Sequence, residues 1–113
     1  MTTLYHNPRC SKSREALQLL EDKGETIEVI KYLETPPSRQ ELSQLIELLG
    51  IKPIELVRTQ ENDWKQNFKG KELSDSEVID AMMEFPKLME RPIAINGTQA
   101  VIGRPPTKIL NIL

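Results

Sequence analysis

One cysteine, Cys10, and one histidine, His6, are all that the chain holds of the residues most used for disulfides and structural zinc. An internal disulfide is excluded, and a structural zinc site has too few ligands, so no resident metal is expected. No apolar run approaches the ~18 residues of a membrane span, and the N-terminus lacks a basic stretch ahead of an apolar core. A cytoplasmic protein with no membrane partner is expected. The 15 Lys and Arg are offset by 17 Asp and Glu, for a net charge of -2. That balance argues against binding nucleic acid through a phosphate-neutralising surface, so any anion site must be local. Repeats, low-complexity stretches and long linkers are also missing. The 113 residues, 38% hydrophobic and 28% charged, therefore read as one globular domain, residues 1–113, burying roughly two-thirds of the unfolded chain's surface.

Thr2 to Tyr5 is β-prone, and from Ser11 to Lys23 the residues Ala16, Leu17, Leu19 and Leu20 form one apolar face before Gly24, a natural helix stop. Thr26 to Tyr32, with Ile27, Val29 and Ile30, suits a buried strand. The first third is thus β-α-β, with parallel strands. After Pro36-Pro37, a capping box of Ser38 and Glu41 precedes Leu42, Leu45, Ile46 and Leu49, and Gly50 closes that helix. Pro53 opens a short helix to Val57 or Arg58, Glu61 to Phe68 is a weaker candidate, and Ser74 with Glu77 repeats the capping box ahead of Val78, Ile79, Met82 and Met83. Trp64, Met82, Met83, Phe85 and Met89 read as core or semi-core. Ile93 to Ile95 and Gln99 to Ile102 flank Asn96-Gly97, which predicts a type I′ hairpin turn. Pro105-Pro106 then opens a last helix with Ile109, Leu110, Ile112 and Leu113 on its buried side. The fold class is α/β: a mixed central sheet built from β-α-β and β-β-α halves, with a helical segment inserted between them.

Helix dipoles disfavour cations at the N-terminus, yet Arg9, Lys12 and Arg14 surround Cys10 there. Local stability does not explain that choice. Free backbone N–H groups, the positive dipole end and the cations make an anion site and favour thiolate over thiol, while Ser11 and Ser13 add hydroxyl donors. His6, four residues before Cys10, could hold the thiolate as a cation or accept a proton as a neutral base. Arg91 before Pro92, and Arg104 before Pro105-Pro106, also sit where local preference gives them no reason to be, and Arg58 ends a short helix. Arginine's planar fork matches an oxyanion, so convergence of these three on Cys10 would bind a doubly charged tetrahedral anion. Taken singly each reads as a surface salt-bridge residue. Arg14 could equally pair with Glu15 or Glu21, and Lys12 reads as solvated.

The segments His6-Asn7-Pro8-Arg9-Cys10-Ser11-Lys12-Ser13-Arg14, Leu56-Val57-Arg58, Glu90-Arg91-Pro92-Ile93 and Gly103-Arg104-Pro105-Pro106, in this order and spanning nearly the whole chain, resemble the glutaredoxin-dependent ArsC-type arsenate reductases. The short length is similar to that of the compact chromosomal branch. The resemblance implies a thioredoxin-like fold and a cis peptide at Arg91-Pro92. It also implies that Cys10 attacks arsenate, that glutathione displaces the arsenic centre from the adduct, and that glutaredoxin completes reduction to arsenite. In that scheme His6 lowers the pKa of Cys10, Arg58, Arg91 and Arg104 hold the oxyanion, and glutathione is a co-substrate rather than a bound cofactor. The lone cysteine fits, because external thiols must then resolve the adduct. A second family, the Spx-type adaptors that bind RNA polymerase, is similar in fold and length, but its Cys-x-x-Cys switch would require a cysteine where this chain has Ser13.

Overall fold

Thr2–His6 forms strand β1, Ser11–Asp22 helix α1 and Ile27–Lys31 strand β2 in the computed structural model, which describes residues 1–113. β1 and β2 run parallel, with Leu4 beside Val29 and His6 beside Lys31. Ile93–Asn96 (β3) pairs antiparallel with β1, and Gln99–Ile102 (β4) pairs antiparallel with β3. The result is a four-stranded mixed sheet in the order β2-β1-β3-β4. Leu4, Ala16, Leu20, Ala94, Ile109 and Ile112 form one buried cluster on it. α1 contributes Ala16 and Leu20, four residues apart on one face. Gly24, at φ +70°, ends that helix by donating its N–H to Glu21 O, while Glu25 N–H reaches Leu20 O. These elements, with a terminal 3-10 helix at Pro106–Ile112, make one unit, Met1–Thr35 plus Arg91–Leu113; Pro36–Glu90 makes a second.

Three local expectations are corrected. β2 is not a buried strand: it forms an edge of the sheet, and Val29 is 40% exposed. The hairpin turn is shifted by one residue, because Asn96 pairs with Gln99 and leaves Gly97-Thr98 as the loop. Gly97 has φ +62° and no non-glycine residue has positive φ, which is the II′ pattern, with glycine first, rather than I′. Asn96 has another task, donating Nδ2–H to Ile112 O at 2.7 Å. Finally, the C-terminal segment winds as a 3-10 helix with Pro106, Ile109 and Ile112 buried, leaving Leu110 and Leu113 outside. A three-residue repeat aligns 106, 109 and 112, whereas the expected α-helical repeat would have turned Leu110 and Leu113 inward.

The second unit contains α2 (Arg39–Leu49), α3 (Asn62–Asn67) and α4 (Asp75–Glu84), with 3-10 turns at Pro53–Leu56 and Pro86–Leu88. Both capping boxes form in full, and Gly50 closes α2 at φ +67°. Hydrogen bonds from Ser38 and Ser74 hold the Glu41 and Glu77 carboxyls below the usual carboxylate range. Arg39 on α2 pairs with Asp80 and Ser76 on α4. Trp64, Phe68 and Phe85 pack in series, the first pair tilted and the second edge-to-face, with ring centroids 5.2 and 5.9 Å apart. Met82 is buried as expected, but Met83, on the next spoke of the helix, is 37% exposed. No helix in the chain is long and apolar enough to cross a membrane.

Candidate active site

The sheet order brings three separate segments to one end of the first unit. β1 and β2 finish there, β3 begins there and β4 finishes there, since Tyr5 pairs with Ile93 and Ile93 with Ile102. The loop Asn7–Cys10, the Arg91-Pro92 pair and Gly103-Arg104 therefore share that end. Gly103 donates its N–H to Pro92 O at 2.8 Å. A Cβ on Gly103 would lie 3.0 Å from both Ile109 Cδ1 and Pro92 Cγ, so a larger residue would push on Pro92 and Ile109. Arg91-Pro92 is cis, and so is Arg104-Pro105, for which nothing in the sequence argued.

Cys10 is the N-cap residue of α1, with an extended backbone and no side-chain capping bond. Its thiol thus stands where serine, threonine or aspartate usually caps, beside the free N–H groups of the first helical turn. Asn7 shapes the approach to it. Asn7 O accepts from Cys10 N–H at 3.0 Å, Asn7 Oδ1 accepts from Arg9 N–H at 3.0 Å, and Asn7 N–H donates to Ser13 Oγ at 3.0 Å. The sequence reading gave Asn7 no role of its own, although asparagine's habit of bonding two residues onward could have pointed to it. Arg14 is not paired with Glu15 or Glu21; its Nη1 donates to Pro8 O at 3.0 Å and clamps the same loop onto α1. Ser11 is exposed at the first helical position, and Lys12 lies 3.7 Å from Glu15 on the surface.

His6 and Ser13 are both buried, and His6 Nδ1 lies 2.6 Å from Ser13 Oγ. Ser13 Oγ already accepts from Asn7 N–H, and no other acceptor is bonded to its hydroxyl, so that proton goes to Nδ1 and leaves the imidazole proton on Nε2. Burial, reinforced by the charges of Lys31 and Arg14, pushes the His6 pKa below its ordinary 6.5. Of the two protonation states open from the sequence, the surroundings favour the neutral one. A histidine with a depressed pKa binds fewer protons folded than unfolded, so stability is complete above about pH 6.5 and declines as pH falls toward the folded value. Urea unfolding should show that loss between pH 7.5 and 5.5, and His6→Asn should flatten it. An unchanged slope in the variant would contradict the assignment.

Arg91 Nε is buried with no hydrogen-bond partner in the protein, an arrangement that costs stability unless an acceptor is supplied from outside. Arg104 Nη1 reaches Arg91 O at 3.4 Å, which puts the two guanidinium-bearing residues side by side. Arg58 belongs to the second unit. There its guanidinium pairs with Glu61 at 2.7 Å and Glu90 at 3.5 Å, and its backbone N–H bonds Leu88 O. The salt-bridge reading describes what the structure gives of Arg58. No group of His, Cys, Asp and Glu side chains is arranged to hold a metal ion.

A mixed sheet in this order, a lone thiol capping the first helix and a cis-proline leading into β3 define a thioredoxin-like domain with a one-cysteine site. The sequence model of the ArsC family matches residues 5–112, and the chain belongs to the ArsC family. It is 47% identical to the uncharacterized protein YfgD of Escherichia coli (strain K12), over 97% of this chain and 94% of that one. It is 45% identical to an arsenate reductase of Haemophilus influenzae, over 97% of each chain. The solved structure of an arsenate reductase from Vibrio cholerae matches with a TM-score of 0.94 at 48% identity, covering 99% of this chain and 97% of that one.

Proposed function

We propose that the chain is an arsenate reductase in which Cys10 is the nucleophile and glutathione and glutaredoxin supply the reducing thiols. The observation that carries this reading is the unpaired, buried Arg91 Nε at the sheet end that also holds Cys10 and Arg104. A tetrahedral oxyanion would accept from Arg91, Arg104 and the first N–H groups of α1, with Ser11 as a further donor. Attack of the Cys10 sulfur on arsenic forms an S–As bond, and one protonated arsenate oxygen leaves as water. The chain has no second cysteine. The thiolate that attacks Cys10 sulfur is therefore external: glutathione forms a mixed disulfide with Cys10, and the S–As electron pair stays on arsenic, which departs as arsenite. Glutaredoxin then exchanges the disulfide and returns the Cys10 thiol. Two thiols are oxidised to one disulfide as As(V) gains two electrons.

The RNA polymerase adaptor reading has less support. Ser13, at the position of the second switch cysteine, is fully buried and bonded to His6 and Asn7, which gives it a task inside the site. The test of the reductase is arsenate-dependent NADPH oxidation coupled through glutathione reductase. The rate should fall to background when glutathione or glutaredoxin is left out. A full rate without glutathione, or no arsenate-dependent rate in the complete mixture, would overturn the proposal.

A further inference from the structure

A groove of about 420 Å³ runs beside the Cys10 loop, lined by His6, Pro8, Arg9, Lys31, Leu33 and Glu34 together with Asn7. Its size falls within the roughly 300–1,000 Å³ of small-molecule sites. Two hydrogen-bonded turns build its walls. On one side Arg9 is held by the Asn7 carboxamide, and on the other Glu34 N–H and Thr35 N–H both return to Lys31 O at 2.9 Å. The parallel register sets His6 beside Lys31, and the Lys31 charge is felt at the imidazole. One wall ends at Arg9, the residue joined directly to Cys10.

The charged groups here are unspent. Salt bridges elsewhere engage Lys12, Arg39 and Arg58, but the side chains of Arg9, Lys31 and Glu34 have no salt-bridge or hydrogen-bond partner in the chain. Glu34 lines the same groove as Lys31 without pairing to it. Leu33, 38% exposed, and Pro8 add apolar lining. Two cations, one anion and an aliphatic surface complement a small peptide carrying two carboxylates, one ammonium and a short aliphatic body. Glutathione has that pattern, and its net negative charge matches the groove's net positive one.

We propose that this groove seats the glutathione that attacks Cys10 sulfur, with Lys31 and Arg9 taking its carboxylates and Glu34 its ammonium. The assignment rests on the reductase reading for its chemistry, but the seat can be tested without turnover. S-methylglutathione, which cannot react, is titrated into the ¹⁵N-labelled protein. Amide shifts should concentrate at residues 7–9 and 31–34, and Lys31→Glu should weaken binding at least tenfold. Lys23→Glu, the same charge change at the far end of α1, should leave affinity within twofold. Shifts confined to other regions, no saturable shifts at all, or equal weakening by both variants would overturn the proposal. In turnover, the ratio of kcat/KM for glutathione to that for uncharged 2-mercaptoethanol should fall about tenfold in Lys31→Glu. An unchanged ratio would overturn the groove while leaving the reductase standing. Absence of arsenate turnover with every thiol would instead remove the reductase and leave the titration to decide the groove.

Discussion

Cys10→Ser should abolish arsenate reduction, by more than about 10⁴-fold in kcat, while leaving the protein folded and at least as stable as the parent. The loss follows from the nucleophile: a serine hydroxyl is un-ionised at neutral pH, and no other cysteine in the chain can substitute. The stability half follows from position. Cys10 caps α1 without a side-chain bond to the helix, whereas serine at such a site accepts from the N2 or N3 amide and is favoured by about 0.5–2 kcal/mol over residues that cannot cap. The cysteine is therefore kept at the expense of a better cap, and the variant should unfold at equal or higher urea. Mass spectrometry after incubation with arsenate and glutathione should find the glutathione adduct on the parent and none on Cys10→Ser. Residual reduction within tenfold of the parent would end the nucleophile assignment.

The second large effect is expected at the arginines. Arg91→Lys and Arg104→Lys keep the charge but replace a planar fork with a point cation, and each should lower kcat/KM for arsenate by about 10²-fold, a size typical of losing one oxyanion donor. Arg91 should be the more sensitive. Its Nε is the buried donor without a partner, and lysine has no atom equivalent to it. Arg104 also holds the Arg91 carbonyl, so its variant should raise KM as well as lower kcat by loosening its neighbour. Arg58→Lys, whose parent guanidinium is already engaged by Glu61 and Glu90, gives the comparison for a paired arginine. Activity undiminished in both Arg91→Lys and Arg104→Lys would remove the guanidiniums from the mechanism.

What could be read in advance divides by range. Ser38 with Glu41, Ser74 with Glu77, and Gly24 and Gly50 act within one helical turn, and each does what local chemistry dictates. Cys10 at the start of α1 was legible for the same reason. Long-range pairing was legible only in part: the parallel β1–β2 pair and the mixed sheet were, but nothing local in Ile27–Lys31 says that β2 would be an edge, and nothing in Asn96 says that it would pair with Gln99 and send its amide to Ile112 O. The contacts that Arg14 and Arg58 make were not legible for a similar reason. Their partners, Pro8 O and the carboxylates of Glu61 and Glu90, depend on loop geometry that residue type alone does not encode. Lys31 escaped notice because its place beside His6 exists only once two strands are in register.

The central strand β1 leaves the ribosome well before one of its two neighbours, β3, which comes from residues 93–96. Closing so long a span is slow compared with winding the helices within Pro36–Glu90, whose own backbone hydrogen bonds are local. During synthesis, then, the Cys10 loop is made long before the Arg91 and Arg104 that flank it. A nascent chain halted short of β3 carries an exposed thiol with no guanidinium pair around it, and a sheet edge on β1 open to pairing with other chains.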